Sequence, residues 1–224
     1  MATKAFKIYK LHFITPVHLG DMRNDYGNSL KTIASDTIYA ALISCLAKMG
    51  KTIPADGDLG CTISSLFPFY QADKKSNAVL FFPKPLKQVL PISDISVEQR
   101  KIIKKVAWLD SFYFSKILGG KQLFDEKTIE NAIHGEYMTD LTIDERFIVS
   151  QVSARVAVSR TGDEDAKQFY MDRVMFKGYS GLYFIVDGNT EQLDVAIELL
   201  QHEGIGTDRN TSRSEERRVG KECR

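Results

Sequence analysis

Cysteine, histidine, proline and tryptophan are all scarce in this chain, at three, four, six and one among 224 residues. Cys45 and Cys61 are not spaced as a ligand pair, and Cys223 lies in the last dozen residues. A disulfide framework and a structural zinc site are therefore not expected, and a reducing cytoplasm is the natural compartment. His12, His18, His134 and His202 are not paired at metal-ligand spacing either. No apolar run approaches the roughly 20 residues of a membrane span, so no membrane partner is expected. The chain lacks the Gly-Lys-Ser/Thr of a nucleotide phosphate loop, a Gly-x-Ser-x-Gly elbow and a convincing Ser/His/Asp set. We therefore expect no cofactor, no metal and no catalytic residue. An excess of charge of one sign is missing as well: 30 Lys+Arg stand against 29 Asp+Glu. Five of those cations and three of those anions fall in the last twelve residues, which leaves residues 1–212 at a formal charge of −1. Bulk attraction to a polyanion is thus excluded, and any nucleic-acid contact has to come from a local patch.

What is present is a chain of alternating strand and helix patterns. Ala5 to Thr15 reads as a strand with Tyr9, Leu11 and Phe13 on one face, ended by Pro16. Asp21 to Lys31 has no period and reads as a loop. Ser35 opens a helix as N-cap, with Ile38, Ala41, Leu42, Cys45 and Met49 as its stripe and Gly50 after its end. Leu66 to Tyr70 and Val79 to Phe82 suit two short strands around a turn at Asp73 to Asn77. Ser96 and Gln99 form a capping-box pattern before a helix whose inner candidates are Ile102, Val106 and Leu109. Its outer face is basic, with Arg100, Lys101, Lys104 and Lys105; most such faces are simply solvated. Ile148 to Ser159 and Gln168 to Phe176 read as a long charged hairpin. Leu182 to Val186 is apolar on both faces and suits a central strand; Leu193, Ala196, Ile197 and Leu200 follow as a helix stripe.

The unit from Phe176 to Thr211 carries the clearest functional signal. Strand and helix lead into Gly204-Ile-Gly-Thr-Asp-Arg209, where glycine backbone and one arginine suit the approach of phosphate oxygens. Arg155, Arg160 and Arg173 on the hairpin are candidates for gripping a nucleic-acid backbone; each alone is more often a surface charge. Tyr179 and Tyr183 lie where exposed rings can stack bases, although core packing is the preferred reading for Tyr183. Asp163, Glu164 and Asp165 cluster at the hairpin tip, where a solvated turn is favoured over a metal site. His18, after the first strand, suits either a general base or a hydrogen-bonded loop residue; the latter is preferred. The order strand, helix, strands, inserted hairpin, strand, helix fits an α+β, ferredoxin-like βαββαβ domain with long insertions and a protruding β-hairpin. Residues 213–224 have no apolar period and resemble a translated sequencing adapter, so they are set aside as a non-native tail. The final strand is then expected to be missing.

Five segments in order resemble the RAMP superfamily of CRISPR proteins, in the group of fourth subunits of type III-A (Csm) interference complexes. They are Thr15 to Gly20, Ser35 to Leu42, Leu80 to Pro85, Met171 to Val186 and Gly204 to Arg209. The resemblance implies an RRM-like RAMP domain with insertions, here over 1–212, followed by a second RRM-like domain that is expected to be missing from this sequence. It implies a non-catalytic subunit that holds the 5′ repeat-derived tag of the CRISPR guide RNA. The implied protein partners are the large polymerase-like subunit and the backbone RAMP subunit, in antiviral defence. RNA contact carries over to His18, Gly20, Ser35, Arg155, Arg173, Gly204, Gly206 and Arg209. The alternative is a metal-independent endoribonuclease processing CRISPR repeat RNA, with His18 as general base.

Overall fold

A computed structural model describes residues 6–20, 25–86, 96–120, 124, 126–158, 165–206 and 219–223. In chain order the elements begin with β1 (Lys7–Phe13), α1 (Ser35–Lys48) and β2 (Cys61–Ile63). Next come β3 (Phe67–Tyr70), β4 (Val79–Pro83), α2 (Val97–Lys105), β5 (Trp108–Asp110), α3 (Ser111–Leu118), α4 (Glu126–Ala132), β6 (Ile133–His134) and β7 (Tyr137–Met138). The last are β8 (Ile148–Ala157), β9 (Lys167–Phe176), β10 (Gly181–Gly188), α5 (Glu191–Glu203) and β11 (Val219–Cys223). They fall into two units. The first comprises Met1–Leu66, Ile148–Lys177 and Gly181–Arg224; the second comprises Phe67–Phe147 and Gly178–Ser180.

The first unit contains an antiparallel sheet in the order β11-β1-β10-β2. With α1 after β1 and α5 after β10, this is the ferredoxin-like βαββαβ arrangement expected from the sequence. Alternation along β1 puts Tyr9, Leu11 and Phe13 in the core, and the register sets Tyr9 opposite Phe184 and Leu11 opposite Leu182. The Tyr9 and Phe184 rings stack at 5.1 Å. The buried stripes of α1 (Ile38, Leu42, Cys45, Leu46) and α5 (Leu193, Ala196, Ile197, Leu200) complete this core, and the two helices pack on each other. Each fully buried Leu, Ile or Phe contributes roughly 1.5–3 kcal/mol. Lys7 Nζ lies 2.6 Å from Asp194 Oδ2, and Tyr9 donates to Asp194 Oδ1 at 2.9 Å, fastening β1 to α5. Partial desolvation pulls the Lys7 pKa down, but hydrogen bonds to Asp194 and Tyr9 outweigh it and hold the ammonium above the ordinary lysine value.

Three expectations for this unit need correction. Val219–Cys223 pairs with β1 from Tyr9↔Cys223 to Phe13↔Val219, so the fourth strand is not missing. Edge addition uses backbone N–H and C=O groups that every sequence has, so the lack of apolar period in 213–224 gave no warning. Ser35 is the first helical residue; the N-cap is Ala34, without a side-chain cap. The Ser35 amide instead donates to Ser65 Oγ at 3.2 Å. Leu46 joins the α1 stripe and Met49 stays exposed.

The second unit interrupts the chain between β2 and β8. β3 and β4 form the expected hairpin, with Phe69 opposite Leu80. Asp73 shapes its turn by accepting from the Lys75 and Ser76 amides. β4 pairs antiparallel with β5, β5 parallel with β7, and β7 antiparallel with β6. Tyr137 and Phe147 lie 4.8 Å apart, and Phe81 and Tyr137 4.9 Å apart, in an aromatic core. Burial there pushes the Tyr137 phenol well above its usual pKa. The Ser96–Gln99 capping box is present. Ile103 is the buried residue of α2, however, and Ile102 is exposed. The nine-residue helix rests on one face only, and that face lies one residue further along than the sequence pattern indicated.

Candidate nucleic-acid interface

Three segments of the first unit converge at the end of β1. Pro16 stops the strand, and Val17 then forms an isolated antiparallel bridge to β9, exchanging backbone bonds of 2.9 and 2.8 Å with Val174. That bridge delivers His18 into the interior at 1% exposure. Its Nδ1 lies 2.6 Å from the Asp172 carbonyl oxygen and its Nε2 3.2 Å from that of Asp25. The ring leans on Tyr26 at 5.9 Å, and Tyr26 on Phe169 of β9 at 5.3 Å.

Asp172 organises the surroundings of this turn. Its amide donates to the Tyr26 carbonyl at 2.8 Å. Its carboxylate accepts from the Ser29 amide at 3.0 Å and from the Ser150 hydroxyl. Ser29 in turn accepts from the Leu19 amide at 2.9 Å, and Leu30 donates to the Leu19 carbonyl at 2.8 Å. The described part of the loop before α1 is thus tied to β9 by side-chain and backbone bonds, which satisfies polar groups that would otherwise be left unpaired.

The glycine-rich segment after α5 packs on the same turn. Gly204 ends the helix at φ 72°, donating to the Leu200 carbonyl at 2.8 Å. Gly206 has φ 119°, and a Cβ placed there would sit 2.9 Å from the His18 carbonyl oxygen and 2.9 Å from Val17 Cγ2. Only glycine fits this approach. Gly206 and residues 17–18 are therefore in direct contact, which the two motif matches at opposite ends of the sequence had no way to reveal separately.

The β8–β9 hairpin presents the arginines. In its register Arg155 faces Phe169 and Gln151 faces Arg173, so both arginines share the face that carries Phe169 and Met171. Both are half-buried, and Arg173 Nη2 lies 3.8 Å from Met171 Sδ. Gly20 is exposed and Ser35 half-buried. Of the sequence-predicted contacts, His18 and Gly206 meet directly, Gly204 ends the helix two residues before, and Arg155 and Arg173 share one hairpin face. Arg209, Arg160, Asp163 and Glu164 lie outside the described residues.

Two sequence options narrow here. Both ring nitrogens of His18 lie against carbonyl oxygens at 1% exposure, the geometry of a packed, hydrogen-bonded loop histidine. Tyr183 is fully buried and has no face for a base, whereas Tyr179 is 41% exposed. The residues that sequence reading missed are Tyr26, Ser29 and Asp172. A polar loop has no period to betray Tyr26 and Ser29, but an aspartate in mid-strand runs against strand preference and was a usable signal. Among the described residues no group of three His, Cys, Asp or Glu is arranged to hold a metal. No described helix is long and apolar enough to cross a membrane.

No family model matches this chain, and no curated protein does. Solved structures do. A Csm1–Csm4 cassette in complex with AMPPNP aligns with a TM-score of 0.57 and 20% identity over 98% of this chain and 70% of that one. The same cassette type in complex with cA4 aligns at 0.55, again with 20% identity, 98% and 70% coverage. A Csm3–Csm4 subcomplex of the type III-A CRISPR-Cas interference complex aligns at 0.55 with 14% identity, over 98% of this chain and 69% of that one. Csm4 is the component these assemblies share, and the chain has a fold of that kind.

Proposed function

We propose that this chain is a non-catalytic RNA-binding subunit of a type III-A CRISPR effector complex. It holds the 5′ repeat-derived tag of the guide RNA and bridges a large subunit to backbone subunits in antiviral defence. One observation carries the reading: the glycine segment after α5 packs on the Val17–His18 turn, which β9 anchors and whose hairpin bears Arg155 and Arg173. Glycine backbone and guanidinium groups are the chemistry that phosphate oxygens select. The partners are supported by the neighbours in fold, which were solved as Csm1–Csm4 and Csm3–Csm4 assemblies. Cytoplasmic location follows from that role.

The test is tag binding by the Arg155→Ala/Arg173→Ala double variant, with cleavage followed in the same samples in EDTA. Removing two charge-assisted bonds is expected to weaken binding of tagged guide RNA by about tenfold or more, with the RNA left intact in every sample. Unchanged affinity would remove the hairpin from the site. EDTA-resistant cleavage that His18→Ala abolishes would replace this reading with the endoribonuclease.

A further inference from the structure

The inserted unit carries a charged surface that the tag site does not use. Within nine residues α2 holds Arg100, Lys101, Lys104 and Lys105 against a single carboxylate, Glu98. At helical spacing these four cations fall on one continuous arc, with Val97 among them and the buried Ile103 outside it. All four are exposed, and none has an ion pair among the described residues. Arg100 with Lys104 and Lys101 with Lys105 are like-charge pairs at i,i+4, which destabilise a helix. The helix dipole favours Lys104 and Lys105 in the last turn. It does not account for Arg100 and Lys101, which lie earlier.

We propose that this face of α2 docks the sugar–phosphate backbone of single-stranded RNA, a second binding surface that rests on reading the chain as an RNA-holding subunit. RNA is favoured over an acidic protein because protein interfaces centre on buried aromatic anchors and are depleted in lysine. α2 has no aromatic residue, and its only exposed large apolar side chains are Val97 and Ile102. Lysine ammonium groups on flexible stems act on phosphates as point charges. Bonds of that kind carry no base information, so this surface adds affinity for RNA regardless of its sequence.

The experiment compares the full chain with its R100Q/K101Q/K104Q/K105Q variant, using labelled single-stranded RNA with and without the repeat-derived tag over a salt series. Far-UV circular dichroism verifies that both are folded. Affinity is expected to fall about tenfold for both RNAs alike, and the slope of log K against log salt to flatten by about 0.7 for each phosphate that is no longer neutralised. A variant that keeps the charge, with Arg100→Lys and the three lysines changed to arginine, should retain wild-type affinity and slope. Unchanged affinity and slope in the glutamine variant overturn the proposal, as does a variant that binds RNA normally and fails only to bind an acidic protein partner. The two readings separate cleanly. A wild-type chain that binds no RNA removes both. Wild-type binding with an unaffected glutamine variant removes only this one. Weakened RNA binding in the glutamine variant, with none in Arg155→Ala/Arg173→Ala, removes the hairpin site and leaves α2.

Discussion

Replacing Asp172 by alanine is expected to destabilise the first unit by about 3–4 kcal/mol and to lower the thermal midpoint by roughly 10 °C. The carboxylate is 8% exposed and accepts from the Ser29 amide and the Ser150 hydroxyl. A hydrogen bond to a charged acceptor contributes about 1.5–3 kcal/mol, and truncation deprives both donors of this acceptor. The damage spreads because Ser29 also accepts from the Leu19 amide, next to His18. Asp172→Asn retains one good acceptor and should cost about half as much. Asp165, exposed just before β9, serves as the control, and its alanine variant should stay within about 0.5 kcal/mol of wild type. Thermal and denaturant unfolding of the three variants decides the matter. An Asp172→Ala midpoint close to wild type would mean that the loop does not depend on β9.

Gly206→Ala is expected to reduce affinity for tagged guide RNA by between about 30- and 100-fold while leaving the rest of the unit folded. The added Cβ meets a backbone carbonyl at 2.9 Å, at a φ of 119° that side chains rarely adopt. Backbone in such a region carries about 2–3 kcal/mol of strain, and each 1.4 kcal/mol passed to binding is a factor of about ten. The methyl group is relieved only if residues 204–206 leave the Val17–His18 turn. Gly50→Ala separates strain from displacement, since Gly50 has φ 68° but nothing within 4 Å of its would-be Cβ. It should weaken stability slightly and RNA binding not at all. Equilibrium titration of both variants gives the answer, and wild-type binding by Gly206→Ala would detach the glycine segment from the site.

The sequence made the scaffold legible wherever periodicity was strong. Tyr9, Leu11 and Phe13 at period two, and Leu193, Ala196, Ile197 and Leu200 at helical spacing, are buried as expected. The β8–β9 hairpin ran almost to its expected ends, with an unbroken register from Ile148↔Phe176 to Ala157↔Lys167. Short elements were less legible. In α2 the few apolar residues leave the inner face ambiguous, and Ile103 took the place of Ile102. Val219–Cys223 was invisible because edge pairing is a backbone property. At the candidate site the glycines and arginines could be named from residue type alone. The packing of Gly206 on the Val17–His18 turn could not, nor could the bridge from Val17 to Val174 across more than half the chain. His18 shows the converse: its residue type names a chemistry but not its surroundings, and the structure sets its ring nitrogens 2.6 and 3.2 Å from two carbonyl oxygens.

Photocrosslinking tests the central claim most directly. Guide RNA carrying 4-thiouridine in its repeat-derived tag is bound to the full chain, alone and within the assembled complex, and the crosslinked peptides are identified by mass spectrometry. Crosslinks are expected in the segments that meet at the end of β1, at residues 17–20, 25–29 and 204–206, and on the hairpin face bearing Arg155 and Arg173. Crosslinks confined to other surfaces, or absent while the same RNA labels a partner subunit, would contradict tag binding by this chain.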